Sequence, residues 1–587
     1  MKVLLIQNSN FPDDLTSDVE KEGIEFKAFY VAQPVDSLED YDSFLSRQVD
    51  DLNSSLDDDC GNPYSPDLIV LPFSLNETNP GELSGIRLAA HIRLDGQDGK
   101  NSNKPILFIG PNTIEECLRL DTDSIAGFLL TRAVYTSDVN SLDSLLEWIK
   151  QREAILLPLT KEEYSSFLKA FVVRAPSNFS DSHHSIANIW GAAMLSHRVT
   201  TDPMPINTAT QNFLNSLYFK YIRAQYSIAD RDDRTVIEMG ASGKKFLLID
   251  DEADKGWEFA LSHYLSLCSR FETIPERIDS YEGYSDHYKR LIEEGDHDVV
   301  FLDLRLNGPD EEKDIQPSDF SGMSVLKKIK SINPGTQVIM FTASNKSWNL
   351  KALLDAGADG YYVKPSPEFY TEGYIDANFQ SLSGAIRHCL NRLYLRPLFE
   401  RLKKLSKVCD GSIISQEISD AIKSHLEISF SMLSNANKRS QYSYAFLALF
   451  GVVEEFVQFF ITSNSDGDLI YYDDLGLGED VRVGNWLIRN NRFEKEGDAP
   501  RGTIFSIAHK VIAIYKEVFK RSLPIGNAKQ LINLRDRRNA FVHKKVIDQT
   551  YPLLNTPQLG DKKAYEQLFN IVEMMLTDCG KFNPPKE

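Results

Sequence analysis

Acidic and cationic side chains in the middle of this 587-residue sequence follow apolar runs of the kind that form buried strands. Asp250 and Asp251 follow "KKFLLI", and Asp303 follows "VVFL". Three carboxylates brought together suit Mg²⁺, a hard six-coordinate ion that keeps several waters. The ion would offset charge repulsion while a carboxylate attacks a phosphoryl group. Thr342 in "FTAS" and Lys364 in "YVKP" add a hydroxyl and an ammonium that can neutralise the phosphoryl oxygens.

The elements around these residues predict how they come together. Between residues 244 and 395, the strand-like runs "KKFLLID", "DVVFLDLRL", "TQVIMFTAS" and "GYYVKP" alternate with helical patterns such as "GMSVLKKIKSI". This alternation predicts a flavodoxin-like, doubly wound parallel sheet. Ligands bind such sheets at the carboxyl ends of the strands, so the five polar residues are expected to share one pocket. The alternative is a structural aspartate cluster in an unrelated α/β domain.

Residues 244–395 resemble the receiver domains of response regulators, because all five polar positions stand in the matching strand contexts. The resemblance implies that Asp303 is phosphorylated by a histidine kinase or a phosphotransfer protein and that Mg²⁺ is the cofactor. Gly322 in "SGMSVL" also matches. An acidic insertion, "NGPDEEKDIQPSDF", departs from the pattern and is expected to alter kinase access or dephosphorylation. By resemblance, the metal ligands are Asp250, Asp251 and Asp303, the phosphoryl contacts are Thr342 and Lys364, and the aromatic switch is Tyr361.

Residues 1–150 repeat the strand pattern without its carboxylates. The expected strands are "KVLLIQNS", "DLIVLPFS", "KPILFIGPN" and "GFLLTRA". This segment resembles a degenerate pseudo-receiver of the same flavodoxin-like fold. We therefore expect no phosphorylation here, and a role in dimerisation or partner docking. The positions equivalent to the acidic site are Gln7, Asn8, Pro72, Gly110 and Thr131.

Residues 151–243 are predicted to form a helical hairpin that joins the two sheets and ends in a linker, "DRDDRTVIEMGASG". In "HHSIANIWG", His184 lies one helical turn before Asn188. Helical hairpins of histidine kinases carry a phosphorylated histidine in somewhat similar local sequence, and this resemblance makes His184 a candidate phosphotransfer residue. The alternative is that these polar residues only cap or pack the hairpin. Because no glycine-rich ATP-binding segment follows, the chain itself is not expected to be a kinase.

Residues 396–587 are predicted to form an all-α helical bundle. A long helix, "LSGAIRHCLNRLYLRPLFERLKKLSK", is expected to lead into it with a bend at Pro397. The apolar run "YSYAFLALFGVVEEFVQFFI" is typical of a bundle-core helix. Its length and the adjacent Glu454 and Glu455 argue against a membrane segment.

The charge distribution restricts where nucleic acid could bind. A formal net charge of −21 makes the chain as a whole repel nucleic acid, so a binding site must be a local basic patch. Residues 509–545 contain ten lysines and arginines against Glu517 and Asp536, which gives about +8. The alternative for such a charge run is a solvated helix face.

Within this patch, "RDRRNAFVH" places Arg538, Asn539 and His543 near one helix end. A histidine can deprotonate a ribose 2′-hydroxyl. An arginine can hold the scissile phosphate and stabilise its developing charge. Together the two groups could cleave RNA without a metal and leave a 2′,3′-cyclic phosphate.

This motif resembles the signature of HEPN-family ribonucleases, which is an arginine, a polar residue and a histidine a few residues later. The resemblance implies that Arg538 binds phosphate, that His543 is the base and that Asn539 positions the site. It also implies a homodimer that acts on RNA and not on DNA, needs no cofactor for cleavage, and has Glu454 as a further candidate for the site. The alternative is a bundle without ribonuclease activity, in which Arg538 and His543 serve only packing or caps.

Composition favours a cytoplasmic globular protein without a membrane partner. Hydrophobic residues make up 42% and charged residues 25% of the chain. Neither a membrane-length apolar run nor a signal-peptide pattern is found in the sequence, which begins "MKVLLIQNSN". The six cysteines contain no CxxC pair, which argues against a zinc site and a disulfide framework.

The combined expectation is a two-component response regulator in which phosphorylation of Asp303 controls a HEPN-like endoribonuclease. What HEPN domains commonly do suggests a role in antiviral defence or stress. The alternative is a phosphorelay adaptor whose helical domain binds a protein partner without catalysis. The expected domains are the pseudo-receiver (1–150), the helical hairpin and linker (151–243), the receiver (244–395) and the helical effector (396–587).

Overall fold

The computed structural model divides the chain into two compact units. Unit 1 comprises residues 1–326 and 338–390, and unit 2 comprises residues 327–337 and 391–587. The domain boundaries predicted at residues 150 and 243 lie inside unit 1 and stay predictions. The structure describes residues 1–8, 19–31, 41–55, 64–75, 83–95, 101–121, 125–173, 183–199, 215–225, 241–266, 268–307, 309–311, 316–343, 347–365, 374–411, 413–434, 439–471, 481–542 and 562–582.

The first sheet of unit 1 is doubly wound, with helices on both faces. Its strands are β1 (Lys2–Gln7), β2 (Val19–Lys21), β3 (Ile24–Tyr30), β4 (Leu68–Pro72), β5 (Ile106–Ile109) and β6 (Val134–Ser137). Its helices are α1 (Tyr41–Ser55), α2 (Ser84–Arg93), α3 (Ile114–Leu120) and α4 (Leu142–Arg152). Along β1, Leu4 and Ile6 pack with α1 and α2, whereas Val3 and Leu5 pack with α4. This alternation follows from the two-residue period of a strand.

The strand order of this sheet is β2-β3-β1-β4-β5-β6, and only β2 is antiparallel to its neighbour. Apart from β2, the order is that of a flavodoxin-like fold. The prediction that "GFLLTRA" forms a strand was wrong, because Ala126–Leu130 is a 3₁₀ helix and β6 follows it. Thr131 therefore ends a helical turn, and it does not occupy a strand end as predicted.

The second sheet is parallel in every described pair. Its strands are β7 (Lys245–Ile249), β8 (Arg270–Ile274), β9 (Val299–Leu302), β10 (Gln337–Thr342) and β11 (Gly360–Val363). Its helices are α8 (Trp257–Tyr264), α9 (Asp286–Glu293), α10 (Ser321–Ile332), α11 (Ser347–Asp355) and α12 (Tyr374–Leu390), with α5 to α7 given below. The order β11-β10-β9-β7-β8 confirms the predicted flavodoxin-like topology. Edge strand β8, "RFETI", is half-buried and polar, and the sequence analysis did not identify it.

Among the described residues between the two sheets in sequence, three helices are found: α5 (Lys161–Ala170), α6 (His183–Val199) and α7 (Leu217–Gln225). The rings of Trp190 on α6 and Phe219 on α7 pack edge to face at 5.6 Å. Both belong to the core under the first sheet. The connection from residue 200 to residue 214 lies outside the described residues, so the hairpin itself stays a prediction.

The helical segment is tied to the first sheet through a buried carboxylate. Asp42, at the start of α1, accepts hydrogen bonds from Arg87 Nη2 at 2.9 Å and from the backbone N–H of Leu217 at 2.9 Å, and its Oδ1 lies 3.1 Å from His91 Nε2. Burial alone would raise the pKa of Asp42, but His91 and Arg87 outweigh it and hold the pKa far below its usual range. The carboxylate therefore joins α1, α2 and α7.

Unit 2 is not the all-α bundle that was predicted. It contains α13 (Leu395–Asp410), α14 (Gln416–Ser434), α15 (Arg439–Phe460), α16 (Ile507–Ala513), α17 (Ile525–Val542) and α18 (Lys562–Gly580). It also contains β12 (Ile461–Asn464), β13 (Gly467–Ile470), β14 (Val481–Arg482), β15 (Gly484–Arg489) and β16 (Arg492–Asp498). The hairpin β15–β16 turns at Asn490 and Asn491, with φ of 48° and 59°, the left-handed conformation that a two-residue type I′ turn requires.

The bend predicted at Pro397 is also wrong. The helix α12 ends at Leu390, and α13 begins at Leu395. Pro397 lies in the first turn of α13, where proline is tolerated because the N–H groups there have no partner within the helix.

One described helical stretch, Gln441–Phe460, is long and apolar enough to span a membrane by length and composition. Most of its side chains are buried within the protein, and Phe446, Leu449, Val453 and Phe456 lie at the centre of the unit 2 core. This burial is typical of the core helix of a globular domain.

We expect Asp42→Ala to lower the free energy of unfolding by about 3 kcal/mol, because it leaves the Arg87 guanidinium without its counter-charge and the buried Leu217 N–H without its acceptor. The matched control is Asp143→Ala, which removes an exposed carboxylate from the first turn of α4 and its ion pair with Lys21. The control should cost less than about 1 kcal/mol. Urea denaturation measures both, and equal losses would contradict the structural role given to Asp42.

Candidate phosphoacceptor site

Three carboxylates meet at the carboxyl edge of the second sheet. Asp250 and Asp251 follow β7, and Asp303 follows the neighbouring strand β9. The backbone N–H of Asp303 donates to the carbonyl of Ile249 at 2.9 Å. The hydrogen bonds between β7 and β9 therefore continue up to the pocket. One carboxylate oxygen from each aspartate lies within 4.8 Å of the others, a spacing that suits a shared cation. The residues predicted to hold Mg²⁺ are therefore brought together.

Lys364 supplies the positive charge of this pocket. Its ammonium donates to Asp250 Oδ2 at 2.8 Å and to Asp303 Oδ2 at 2.7 Å. The lysine side chain is fully buried. Burial opposes its charge, but the two carboxylates outweigh that effect and raise the pKa of Lys364 above its usual value. The ammonium thus stays charged and offsets part of the repulsion between the aspartates.

Unlike Asp250 and Asp303, the half-buried Asp251 has no hydrogen bond from Lys364 among the described contacts. Burial, and then the charges of Asp303 and Asp250, raise the pKa of Asp251 to about 7. Its Oδ2 lies 3.2 Å from the guanidinium of Arg277, a residue that the sequence analysis did not identify. Arg277 follows the overlooked strand β8 and is 60% exposed, so it reaches the pocket from the solvent side.

The loop after Asp303 is closed by a serine and a glycine at the start of α10. The Ser321 hydroxyl accepts a hydrogen bond from the N–H of Leu306 at 2.9 Å. A Cβ on Gly322 would lie 2.1 Å from the carbonyl oxygen of Asp303, so only glycine allows this approach. Asp310, in the acidic insertion, is buried and accepts from the N–H groups of Leu306 and Ser321 at 3.1 and 3.2 Å. This residue of the insertion therefore stabilises the loop that follows the phosphoacceptor.

The predicted phosphoryl contact Thr342 and the predicted aromatic switch Tyr361 occupy neighbouring strands. Thr342 ends β10 and is 5% exposed, and its carbonyl accepts from the N–H of Lys364 at 2.7 Å. Tyr361 lies on β11, opposite Met340, and is 40% exposed. Thr342 thus lies beside the backbone of the pocket lysine, while Tyr361 lies at the surface.

The first sheet has the same loop geometry without the charges. Leu75 N–H donates to the Ser84 hydroxyl at 2.8 Å, as Leu306 donates to Ser321 in the second sheet. A Cβ on Gly85 would lie 1.9 Å from the carbonyl oxygen of Pro72, as one on Gly322 would from that of Asp303. Leu75 is three residues after Pro72, and Leu306 is three residues after Asp303. Pro72 therefore occupies the position of the phosphoacceptor, and "SG" at the start of α2 and of α10 was the sequence signal of this repeat.

Two family models match the chain at these two sheets. Residues 17–136 match the Inactive Receiver domain, and residues 274–369 match the Response regulator receiver domain. The chain contains two receiver domains, the first of the inactive type. We call them the pseudo-receiver and the receiver.

Curated relatives are similar to a short part of the chain. The nitrate/nitrite response regulator protein NarP of Escherichia coli (strain K12) is 37% identical over 78 residues, 13% of this chain and 31% of the relative. A nitrate/nitrite response regulator protein homolog of Haemophilus influenzae is 28% identical over 120 residues, 20% of this chain and 49% of the relative. The chain thus spans between about a third and a half of the length of these relatives.

Among solved structures, a CheY-like response regulator receiver domain protein from Methanospirillum hungatei JF-1 is similar, with 19% identity and a TM-score of 0.19. The match covers 26% of this chain and 98% of that one.

The second candidate site lies in unit 2, on α17 and α15. Arg538 Nη2 donates to Glu454 Oε1 at 2.7 Å, and the guanidinium lies 5.6 Å from the centre of the Phe450 ring. Arg538 Nη1 also contacts Asn539 Oδ1 at 3.3 Å. The side chain of Arg538 is about a quarter exposed, at 24%. His543 lies outside the described residues, so the structure brings together three of the four residues considered for this site.

Much of the basic patch is neutralised locally. Lys510 pairs with the buried Asp468 at 2.8 Å, and Arg521 pairs with Asp578 at 2.8 Å. Arg535 donates to Asp536 at 2.6 Å and to the Ser506 hydroxyl at 2.6 Å. The sequence count of about +8 therefore overstates the charge that a polynucleotide would meet.

His184 lies on α6, but its side chain is outside the described part of the structure. Asn188, one turn later, is 2% exposed and contacts both Glu252 and Trp257. Glu252 follows Asp251 directly, so α6 lies beside the acidic pocket.

We expect Arg277→Gln to tighten Mg²⁺ binding about two- to fivefold, because the exposed guanidinium competes with the cation for Asp251 and an exposed charge contact contributes about 0.2–1 kcal/mol. Arg290→Gln, which removes an exposed arginine from α9, is the control and should leave the affinity unchanged. Isothermal titration calorimetry with MgCl₂ measures both. Weaker Mg²⁺ binding by Arg277→Gln would show that the guanidinium supports the metal site.

Proposed function

We propose that this chain is a two-component response regulator in which Asp303 accepts a phosphoryl group from a histidine kinase or phosphotransfer protein. The supporting observation is the pocket in which one oxygen from each of three carboxylates lies within 4.8 Å of the others. Lys364 contacts two of these three carboxylates. A carboxylate oxygen of Asp303 forms the new P–O bond while the P–N bond of the donor phosphohistidine breaks. Thr342 and Lys364 would donate to the phosphoryl oxygens.

Asp250, Asp251 and Asp303 would hold the Mg²⁺ ion, whose charge offsets the negative charge that develops during transfer. The strand order brings these carboxylates together, because β7 and β9 are neighbours and the aspartates follow their carboxyl ends. The pseudo-receiver has Pro72 at the equivalent position and is proposed to serve in dimerisation or partner docking.

We expect Asp303→Asn to abolish labelling by ³²P-acetyl phosphate in the presence of Mg²⁺, because the amide cannot form the acyl phosphate. Asp319→Asn, an exposed aspartate just before α10, is the control and should be labelled like the wild type. Removing Mg²⁺ with EDTA should also abolish labelling.

Any label that remains on Asp303→Asn would identify a second acceptor, and its stability would show the kind. A phosphohistidine is lost in acid but survives in alkali, whereas an aspartyl phosphate is hydrolysed in alkali. Acid-labile, alkali-stable label that disappears with His184→Ala would establish His184 as a phosphotransfer residue.

We also propose that unit 2 is a HEPN-like endoribonuclease whose activity depends on the state of Asp303. The contact between Arg538 and Glu454 supports this proposal, because it orients a partly exposed guanidinium beside Asn539, close to the sequence position of the candidate base. His543 would take the proton of a ribose 2′-hydroxyl, whose oxygen attacks the phosphorus as the 5′-oxygen leaves. The products are a 2′,3′-cyclic phosphate and a 5′-hydroxyl, and no metal takes part. A homodimer that acts in antiviral defence or stress completes the proposal.

We expect His543→Ala and Arg538→Ala each to slow RNA cleavage about 100-fold or more, the cost of removing a general base or a phosphate-stabilising group. Arg521→Ala is the matched control, because it removes an exposed arginine of the same patch that pairs with Asp578. Cleavage of a fluorescently labelled total-RNA pool is followed with and without beryllofluoride, a phosphoryl mimic for Asp303. Equal rates for wild type and His543→Ala would exclude this nuclease assignment.

A second candidate function is a phosphorelay adaptor whose unit 2 binds a protein partner. The local neutralisation of Lys510, Arg521 and Arg535 favours it, because paired charges attract a polynucleotide weakly. The same RNA experiment separates the two candidates. The adaptor predicts no cleavage in either state of Asp303.

A further inference from the structure

Helix α6 has two buried faces, and one of them lies against the receiver. Ile189, Trp190, Ala193 and Met194 face the core beneath the pseudo-receiver sheet. Three other residues, at helical spacing, face the receiver: Asn188, Gly191 and Arg198. All of these residues belong to unit 1. A single helix therefore connects the two receiver folds.

The contact at Asn188 reaches the neighbour of a metal ligand. Asn188 is 2% exposed; its amide donates to Glu252, and its carbonyl oxygen accepts from Trp257 Nε1 at 2.9 Å. The backbone N–H of Glu252 in turn donates to Asp250 Oδ1 at 3.0 Å. The Asp250 carboxylate is thus linked to α6 through two hydrogen bonds, so a change in its position or charge can reach the helix.

The contact at Gly191 reaches the neighbour of the pocket lysine. A Cβ on Gly191 would lie 2.7 Å from Cζ2 of Trp257 and 2.9 Å from Cδ of Pro365. Pro365 follows Lys364 directly. The helix therefore packs on the receiver with no spare room at this point, and a shift of Pro365 towards it cannot be absorbed.

The third contact lies further along α6. Arg198 forms an ion pair with Asp376 on α12, and its guanidinium lies 5.1 Å from the centre of the Phe379 ring. The three contacts together cover the face of the receiver formed by α8, by Pro365 two residues after β11, and by α12.

The described geometry belongs to a pocket in which Lys364 bridges Asp250 and Asp303. With a phosphoryl group on Asp303 and a dication held by the three aspartates, Lys364 would give up part of this bridge to contact the phosphoryl oxygens. Pro365, which follows Lys364 directly, would move with it. The packing at Gly191 would oppose a movement of Pro365 towards α6.

We propose that phosphorylation of Asp303 loosens α6 from the receiver, so that α6 and the pseudo-receiver core to which it belongs report the state of the pocket. The inference rests on the proposed phosphorylation of Asp303. By thermodynamic linkage, a substitution that weakens the docking of α6 must favour the phosphorylated state of the pocket, by up to the coupling free energy between docking and phosphorylation. This coupling between the pocket and α6 acts through the receiver face that α6 covers. That face is distinct from the surface at the predicted switch residue Tyr361.

The test compares two helical glycines in the full-length chain. Gly191→Ala places a methyl group against Trp257 and Pro365, whereas Gly384→Ala on α12 meets nothing within 4 Å. Both changes raise helix propensity equally, so a difference between them reports the contact. Each variant is titrated with beryllofluoride in excess Mg²⁺ by isothermal titration calorimetry. Amide hydrogen exchange of residues 183–199 is measured with and without the mimic.

We expect Gly191→Ala to bind beryllofluoride about fivefold more tightly or better, and Gly384→Ala to match the wild type. In the wild type, the mimic should accelerate hydrogen exchange across α6. Asn188→Ala is a second variant that creates no steric clash, and it should act in the same direction as Gly191→Ala.

Two results would overturn the inference. One is unchanged or slower exchange of α6 when the mimic is bound, and the other is equal affinity in the wild type, Gly191→Ala and Asn188→Ala. In both cases the mimic binds, so the proposed phosphoacceptor role of Asp303 survives. If the wild type does not bind beryllofluoride with Mg²⁺, the phosphoacceptor proposal and this inference fail together.

Discussion

The buried ammonium of Lys364 is the interaction on which the receiver site depends. Asp250, Asp251 and Asp303 lie within 4.8 Å of one another, and three carboxylates at this distance repel strongly where water is scarce. Lys364 contacts two of them and is itself fully buried. Its charge lets the strand ends stay close enough to hold a cation, and it leaves Asp251, with a pKa of about 7, as the least compensated ligand. The same lysine links the pocket to the helix that covers it, through Pro365.

The pseudo-receiver shows what the fold retains when this chemistry is absent. It keeps the strand order, the serine that closes the loop after β4, and the glycine that approaches a backbone carbonyl. These features are needed to turn the chain from strand to helix, so they belong to the scaffold. Its site positions hold Pro72 and the amides of Gln7 and Asn8, which carry no charge. The scaffold and the acidic pocket are therefore separable, and the chain contains one copy with the pocket and one without.

In unit 2, the sequence showed how many charged residues there are but not which of them are paired in the fold. The basic run around α17 is formally rich in lysine and arginine, yet acidic partners come from distant parts of the chain, such as Asp468 on β13 and Asp578 on α18. The pairing of Arg538 with Glu454 joins α17 to the core helix α15. In a nuclease, this pairing would orient the guanidinium, and in a binding domain it would only stabilise the fold. The pairing therefore does not separate the two functions, whereas RNA cleavage by the His543 variant does.

The sequence by itself determined the fold of the receiver and the meeting of three aspartates with Lys364 at its carboxyl edge, because buried parallel strands are continuous apolar runs and their polar ends fall at fixed places along the chain. It also indicated the second, uncharged copy. Edge strand β8, the 3₁₀ turn at Ala126–Leu130 and the small sheets of unit 2 were missed, because short, half-polar or mixed segments have no decisive period. Only the tertiary structure decided that Arg277 faces Asp251, that Asn188 and Gly191 lie against the receiver, and that four described cations of the basic run pair with carboxylates. These contacts join residues far apart in sequence, and local patterns carry no information about such distances.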